Sequence, residues 1–167
     1  MNSEVSASKR HRVTLVVNRQ ELTAEVKANL TLMELLRDVL GKPGTKVGCE
    51  TGDCGACTVL LDGEPVNSCL VLAVEAEGRS VTTIEGLEKE GRLDEVQEAF
   101  IQYGAVQCGY CSPGMILSGR ALLDRNPNPT EDEVREAISG NLCRCTGYIK
   151  IVEAILAAAK AESGVEA

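Results

Sequence analysis

The sequence predicts an α+β chain in two consecutive modules, a β-rich one followed by a small four-helix bundle. Three observations carry that reading. Short apolar runs broken by tight-turn signals give way near residue 85 to apolar residues at helical spacing. The eight cysteines fall into two sets of four, Cys49, Cys54, Cys57 and Cys69, then Cys108, Cys111, Cys143 and Cys145, one set on each side of that change. Aromatic residues make up only 2% of the 167 residues. Two small modules therefore need something besides buried rings to hold them, and bound metal would supply it.

In chain order, residues 1–11 form a polar lead that runs into the basic stretch Lys9 to Arg12 and has no apolar core to make it a signal peptide. Val13 to Val17 and Glu21 to Val26 read as strands joined by a tight turn at Asn18-Arg19. Thr31-Leu32-Met33-Glu34 is a capping box opening a helix that presents Leu32, Leu35, Leu36, Val39 and Leu40 on one face and stops at Gly41. A glycine-rich loop from Gly44 to Cys57 follows. Its glycines permit positive φ and close backbone approach, so amide N–H groups can point at bound sulfur. Cys57 to Leu61 and Glu64 to Asn67 form a second hairpin through Asp62-Gly63, and Ser80 to Thr83 supplies a last strand.

Beyond residue 85 four helices are expected. The first carries Leu93, Val96, Phe100 and Tyr103 on one face. The second starts at Ser112-Pro113 and runs to about Arg125. The third follows the breaker Asn126-Pro127-Asn128-Pro129 and the capping box at Thr130, and the fourth spans about Tyr148 to Ala161. The domain boundaries read from this are 12–84 for the first module, 85–162 for the second and 163–167 for a tail.

With 44% hydrophobic residues the chain can bury a core, and its net charge of -8 and pI near 4.8 argue against nucleic-acid binding. The longest apolar stretch is too short for a membrane span, which leaves a cytoplasmic protein as the expectation. In that compartment eight cysteines favour metal or redox chemistry over disulfides.

Cys49-x4-Cys54-x2-Cys57, with Cys69 after eleven further residues, is the plant-type [2Fe-2S] spacing, although four thiolates also suit tetrahedral zinc. In the second set Cys108-x2-Cys111 and Cys143-x-Cys145 are separated by 31 residues, so the chain must fold back to bring them together. Cys111 and Cys145 each stand just before a helix start, where the dipole favours thiolate. Alone, that second set suits zinc and iron-sulfur equally; the neighbouring plant-type loop favours iron-sulfur.

Three segments carry a resemblance: Cys49-Glu-Thr-Gly-Asp-Cys54-Gly-Ala-Cys57, Gln107-Cys108-Gly-Tyr-Cys111-Ser-Pro-Gly-Met115, and Gly140-Asn-Leu-Cys143-Arg-Cys145-Thr-Gly-Tyr148. Together they resemble the iron-sulfur subunit of the xanthine oxidase family of molybdenum hydroxylases over roughly residues 12 to 160. The resemblance implies a plant-type ferredoxin (β-grasp) domain followed by a four-helix [2Fe-2S]-binding domain. It implies one [2Fe-2S] cluster on Cys49, Cys54, Cys57 and Cys69 and another on Cys108, Cys111, Cys143 and Cys145. It further implies that Gln107 and Cys145 contact a molybdenum-pterin cofactor held by a large partner subunit, that FAD sits on a medium partner subunit, and that the three form a heterotrimer that dimerises. Tyr110 and Met115 read as core residues, and Arg144 as an interface contact or a charge balancing the cluster.

The chain itself shows no substrate machinery. His11 is its one histidine, and no nucleophile motif, P-loop or dinucleotide fingerprint occurs. The expected role is electron transfer within an oxidoreductase complex. A free-standing two-cluster ferredoxin is the first alternative, and a zinc-stabilised binding module the second.

Overall fold

The computed structural model describes residues 9–164. Residues 1–8 of the expected lead and 165–167 of the expected tail lie outside the described residues. Strand β1 (Arg10–Val17) pairs antiparallel with β2 (Gln20–Lys27), from Arg10↔Lys27 to Val17↔Gln20. The strand begins earlier than its apolar pattern suggests: His11 and Arg12 already pair with Val26 and Glu25. Arg10 and Arg12 fit there because they take the outward-facing alternate positions, while His11 shares the face of Val13, Leu15 and Val17 and stays half-buried at the strand's end. Asn18 (φ 50°) and Arg19 (φ 68°) both adopt the left-handed conformation that a two-residue hairpin turn requires.

The capping box at Thr31 forms as expected, with Thr31 Oγ1 accepting from Glu34 N at 3.2 Å and Glu34 Oε2 accepting from Thr31 N at 2.8 Å. Helix α1 is α-helical only over Leu32–Glu34 and continues over Leu35–Val39 as a π-helix, closed by Leu40 N donating to Leu35 O at 2.9 Å. The wider turn inserts a residue into the helical register. Leu32, Leu35 and Leu36 stay fully buried, but Val39, expected on the same face, turns out to solvent at 53% exposure.

Strands β3 (Thr58–Leu61), β4 (Glu64–Asn67) and β5 (Ser80–Thr82) complete a sheet of order β2-β1-β5-β3-β4. Only β1 and β5 run parallel. One face of the sheet packs on α1 and on the short turn at Ala73–Ala76, forming a core of Val13, Leu15, Val17, Leu32, Leu35, Leu36, Val59, Leu61 and Val81 with the smaller Ala73 and Ala76.

The second module holds α2 (Glu95–Gln102), α3 (Ser112–Arg125), α4 (Glu131–Ala137) and α5 (Tyr148–Glu162). Asp94 caps α2, so Leu93 and Tyr103 fall outside the helix they were expected to line and are 42% and 40% exposed. Phe100, Met115, Leu117, Ile151 and Ile155 fill the bundle core. No described helix is long and apolar enough to cross a membrane.

Two features join the modules. Strand β3 is buried at all four positions, and its alternation serves two cores: Val59 and Leu61 face the first, while Leu60 belongs to the helical one. The β1–β2 turn grips the connecting segment. Asn18 and Thr83 exchange hydrogen bonds of 2.9 Å each, and Arg19 Nη2 donates to Gly86 O at 2.6 Å. Gly86 is needed there, because a Cβ would lie 2.1 Å from Asn18 Oδ1.

Candidate metal centres

The first cysteine set gathers around the open end of the β3–β4 hairpin. Thr58 pairs with Asn67, so Cys57, just before β3, lies across from Cys69, in the single turn Ser68–Leu70 just after β4. Ser68 Oγ donates to Cys57 O at 2.6 Å and locks the two ends together. Met33 of α1 and Val47 pack on both cysteines. The remaining loop is shaped by Gly52 (φ 85°) and Gly55 (φ 68°), and Asn67 Nδ2 ties it down through Gly52 O at 2.8 Å.

This loop turns amides onto sulfur. Thr51 N and Cys54 N each lie 3.4 Å from Cys49 Sγ. Hydrogen bonds from the Thr51 side chain, then from the Thr51 and Cys54 amides, lower the Cys49 pKa to about 6. Burial acts the other way at Cys69, whose thiol is pushed up to about 11 by desolvation and by the neighbouring Cys57. Gly48 leaves the room that Cys54 Sγ uses, since a Cβ there would sit 2.5 Å from it.

The second set forms where two helix starts converge. Cys111 is the N-cap of α3, and Gly147, two residues beyond Cys145, is the N-cap of α5. The four thiols lie close enough to shift one another's ionisation, Cys108 against Cys145 and Cys111 against Cys143. The Tyr110 amide and the Cys145 thiol lower the Cys108 pKa. Burial and the Cys143 thiol push Cys111 up to about 12. At Cys143 burial opposes ionisation, yet the Gly147 amide, the Cys111 thiol and the Cys145 and Thr146 amides outweigh it and lower the pKa. Tyr148 Oη accepts from Cys143 N at 2.7 Å and holds that ligand loop on the start of α5.

All eight thiols are free. Sets of four soft thiols, with amides turned onto Cys49 and Cys143, have the donor chemistry that a [2Fe-2S] group takes.

Comparison with known proteins agrees with this geometry. Residues 15–91 match the family described as a 2Fe-2S iron-sulfur cluster binding domain, and residues 83–156 match a [2Fe-2S] binding domain. The nicotinate dehydrogenase small FeS subunit of Eubacterium barkeri is 48% identical over 143 residues, covering 86% of this chain and 91% of that one. The chain belongs to the iron-sulfur subunits of the xanthine oxidase family.

Membership makes it an oxidoreductase subunit with an electron-transfer role and two [2Fe-2S]-binding domains. Another relative in the family, the nicotine 6-hydroxylase small subunit of Paenarthrobacter nicotinovorans, is 50% identical over 151 residues, covering 90% of this chain and 91% of that one. In the crystal structure of quinoline 2-oxidoreductase from Pseudomonas putida one chain superposes with a TM-score of 0.89 at 46% identity, covering 96% of this chain and 100% of that chain. The aldehyde oxidoreductase of Desulfovibrio desulfuricans matches with a TM-score of 0.90 at 43% identity over 93% of this chain, but over only 18% of its own length. The same unit is therefore a separate subunit in some members and one segment of a long chain in others.

Gln107 is exposed, and its Nε2 lies 3.5 Å from Cys145 O, so the two expected pterin-contacting residues are neighbours. Arg144 is exposed beside them. Met115 is fully buried as expected, but Tyr110 is not core: it is 49% exposed, and its hydroxyl bonds the backbone carbonyl of Val47 in the first module. That polar tip had a partner across the module boundary, which a reading by hydrophobicity misses. Asn141 and Gly114 carry no local signal, and they meet between the two cysteine sets at Gly55, one of the loop glycines expected to allow close backbone approach.

Proposed function

We propose that Cys49, Cys54, Cys57 and Cys69 hold one [2Fe-2S] cluster, that Cys108, Cys111, Cys143 and Cys145 hold a second, and that the chain stands between a molybdenum-pterin subunit and an FAD subunit. The observation that carries this is the meeting of the 107–111 and 143–145 segments at the starts of α3 and α5 after a 31-residue excursion, with Gln107 Nε2 3.5 Å from Cys145 O. When bound, each cluster takes up and returns single electrons at a potential set by charge, exposure and hydrogen bonds to sulfur.

The chain's own part is to supply those conditions. Amides of Thr51 and Cys54 favour negative charge at Cys49, and those of Gly147, Cys145 and Thr146 favour it at Cys143. The buried Cys57 and Cys69 keep water from one side of the first centre. The exposed Gln107 and Cys108, with the half-buried Cys145, form the face offered to the molybdenum-pterin subunit, with Gln107 and Cys145 as the pterin contacts. The first loop, Cys49 to Cys54, faces the FAD subunit. The complex is a cytoplasmic heterotrimer that dimerises.

Anaerobic isolation of the native complex tests this. About four irons per chain, two [2Fe-2S] EPR signals after reduction, and co-purifying molybdenum and FAD chains are expected. A colourless protein with zinc in place of iron, or a chain that purifies without a molybdenum-bearing partner, would overturn it.

A further inference from the structure

Between the two cysteine sets lies one nearly inaccessible polar side chain, Asn141, which is 4% exposed. Its Nδ2 donates to Gly55 O at 2.9 Å and to Thr58 Oγ1 at 3.1 Å, and its Oδ1 accepts from Ser118 Oγ at 2.8 Å. Both amide donors are used, so neither aspartate nor leucine reproduces the arrangement. These partners are the cysteine-bearing elements themselves. Gly55 follows Cys54, Thr58 follows Cys57, Ser118 lies on α3 whose N-cap is Cys111, and Asn141 stands two residues before Cys143.

The surrounding backbone is drawn in to meet it. A Cβ on Gly55 would lie 2.3 Å from Gly140 O and 2.6 Å from Asn141 Nδ2, and one on Gly114 would lie 2.5 Å from Gly55 O. That close approach lets Leu142 N donate to Cys54 O at 2.9 Å. Cys54 and Cys143 are thereby joined through one hydrogen bond and one intervening residue. The Tyr110 hydroxyl on Val47 O is a second, exposed tie, joining the first cysteine loop to the Cys108–Cys111 loop.

We infer that Asn141 is a positioning residue for transfer between the two centres: it fixes the spacing of the two cysteine sets and holds the Cys54–Leu142 hydrogen bond closed. This rests on the two-cluster reading above. Asn141 touches neither substrate nor any cysteine sulfur, so its effect is on the distance and connection between sites that other residues build. Removing a group that orients metal ligands from outside the ligand shell typically costs 10- to 100-fold in function.

The test uses the intact complex carrying Asn141→Ala, Asn141→Asp or Ser118→Ala. For Asn141→Ala, iron content and both EPR signals remain. The magnetic interaction between the two reduced centres changes, the rate of electron exchange between them falls about 10- to 100-fold, and the Leu142 amide exchanges hydrogen at least about tenfold faster. Asn141→Asp, of equal size but unable to donate twice, falls as far; Ser118→Ala shifts the same readouts less. Wild-type magnetic interaction, exchange rate and Leu142 protection in Asn141→Ala would overturn the inference, as would an unaffected Asn141→Asp. If Asn141→Ala fails to assemble, wild-type values in Ser118→Ala decide against it. Absence of iron from the unmodified complex would instead sink the two-cluster reading itself.

Discussion

Gly55→Ala separates two costs that the seam between the modules combines. Gly55 has φ +68°, a conformation that costs a non-glycine residue about 1–2 kcal/mol. Its new Cβ would also meet Gly140 O at 2.3 Å and Asn141 Nδ2 at 2.6 Å, and relieving contacts that close costs about 1–3 kcal/mol. Two other glycines isolate the parts. Gly63, at φ +87° with open space around it, carries the backbone cost alone. Gly114, helical, carries the steric cost alone through Gly55 O at 2.5 Å, offset by about 1 kcal/mol of helix propensity. The expected order of destabilisation is therefore Gly55→Ala well above Gly63→Ala, with a gap of about 1–3 kcal/mol. At about 2–4 °C per kcal/mol for a chain of this size, that gap is about 2–12 °C in the thermal midpoint of the iron-loaded protein. Equal midpoints for Gly55→Ala and Gly63→Ala would show that the seam yields without resistance and that its close approach has no energetic weight.

Cys108→Ser should remove one of the two reduced-cluster EPR signals and leave the other, whereas Cys54→Ser should remove the complementary one; both signals surviving either change would reject the ligand sets. In the metal-free chain at pH 7, Cys49, with a pKa of about 6, should be alkylated ahead of Cys69 and Cys111 at about 11 and 12. Because the thiolate is the nucleophile, that advantage disappears as pH falls below about 6, and Thr51→Val should move the midpoint upward; mass-spectrometric labelling rates that are equal at all three sites would contradict it. Arg120 is largely buried between Asp94, Asp124 and Glu162, so Arg120→Met strands the buried Asp94 carboxylate and should cost about 3 kcal/mol in denaturant unfolding. Breaking the exposed Arg125–Glu64 pair should cost under about 1 kcal/mol, and similar values for the two would contradict the burial argument.

The elements were legible wherever local chemistry decides them. The turns at Asn18-Arg19 and Asp62-Gly63 and the capping boxes at Thr31 and Thr130 all stand where their residues place them. The π-helical continuation at Leu35–Val39 was not legible, because leucine spacing looks the same until the turn widens. The gathering of Cys49, Cys54 and Cys57 in one glycine-rich loop could be read from spacing, since a short loop keeps its residues together. The meeting of the 107–111 and 143–145 segments could not, because it depends on how α3 and α5 converge. The roles of Asn141 and of Tyr110, which reads as a core residue, were hidden for a related reason. Their hydrogen-bond partners are 86 and 63 residues away, so no local pattern points to them.

Strand β3 gives Leu60 to one hydrophobic interior and Val59 and Leu61 to the other. Neither half of the polypeptide can then be cut free with its surface intact: severed near residue 85, the first would bare Leu60 and the second the α3 flank that covers it. The whole should melt in one transition, and a nick in the connecting segment should leave two fragments clinging together until both denature.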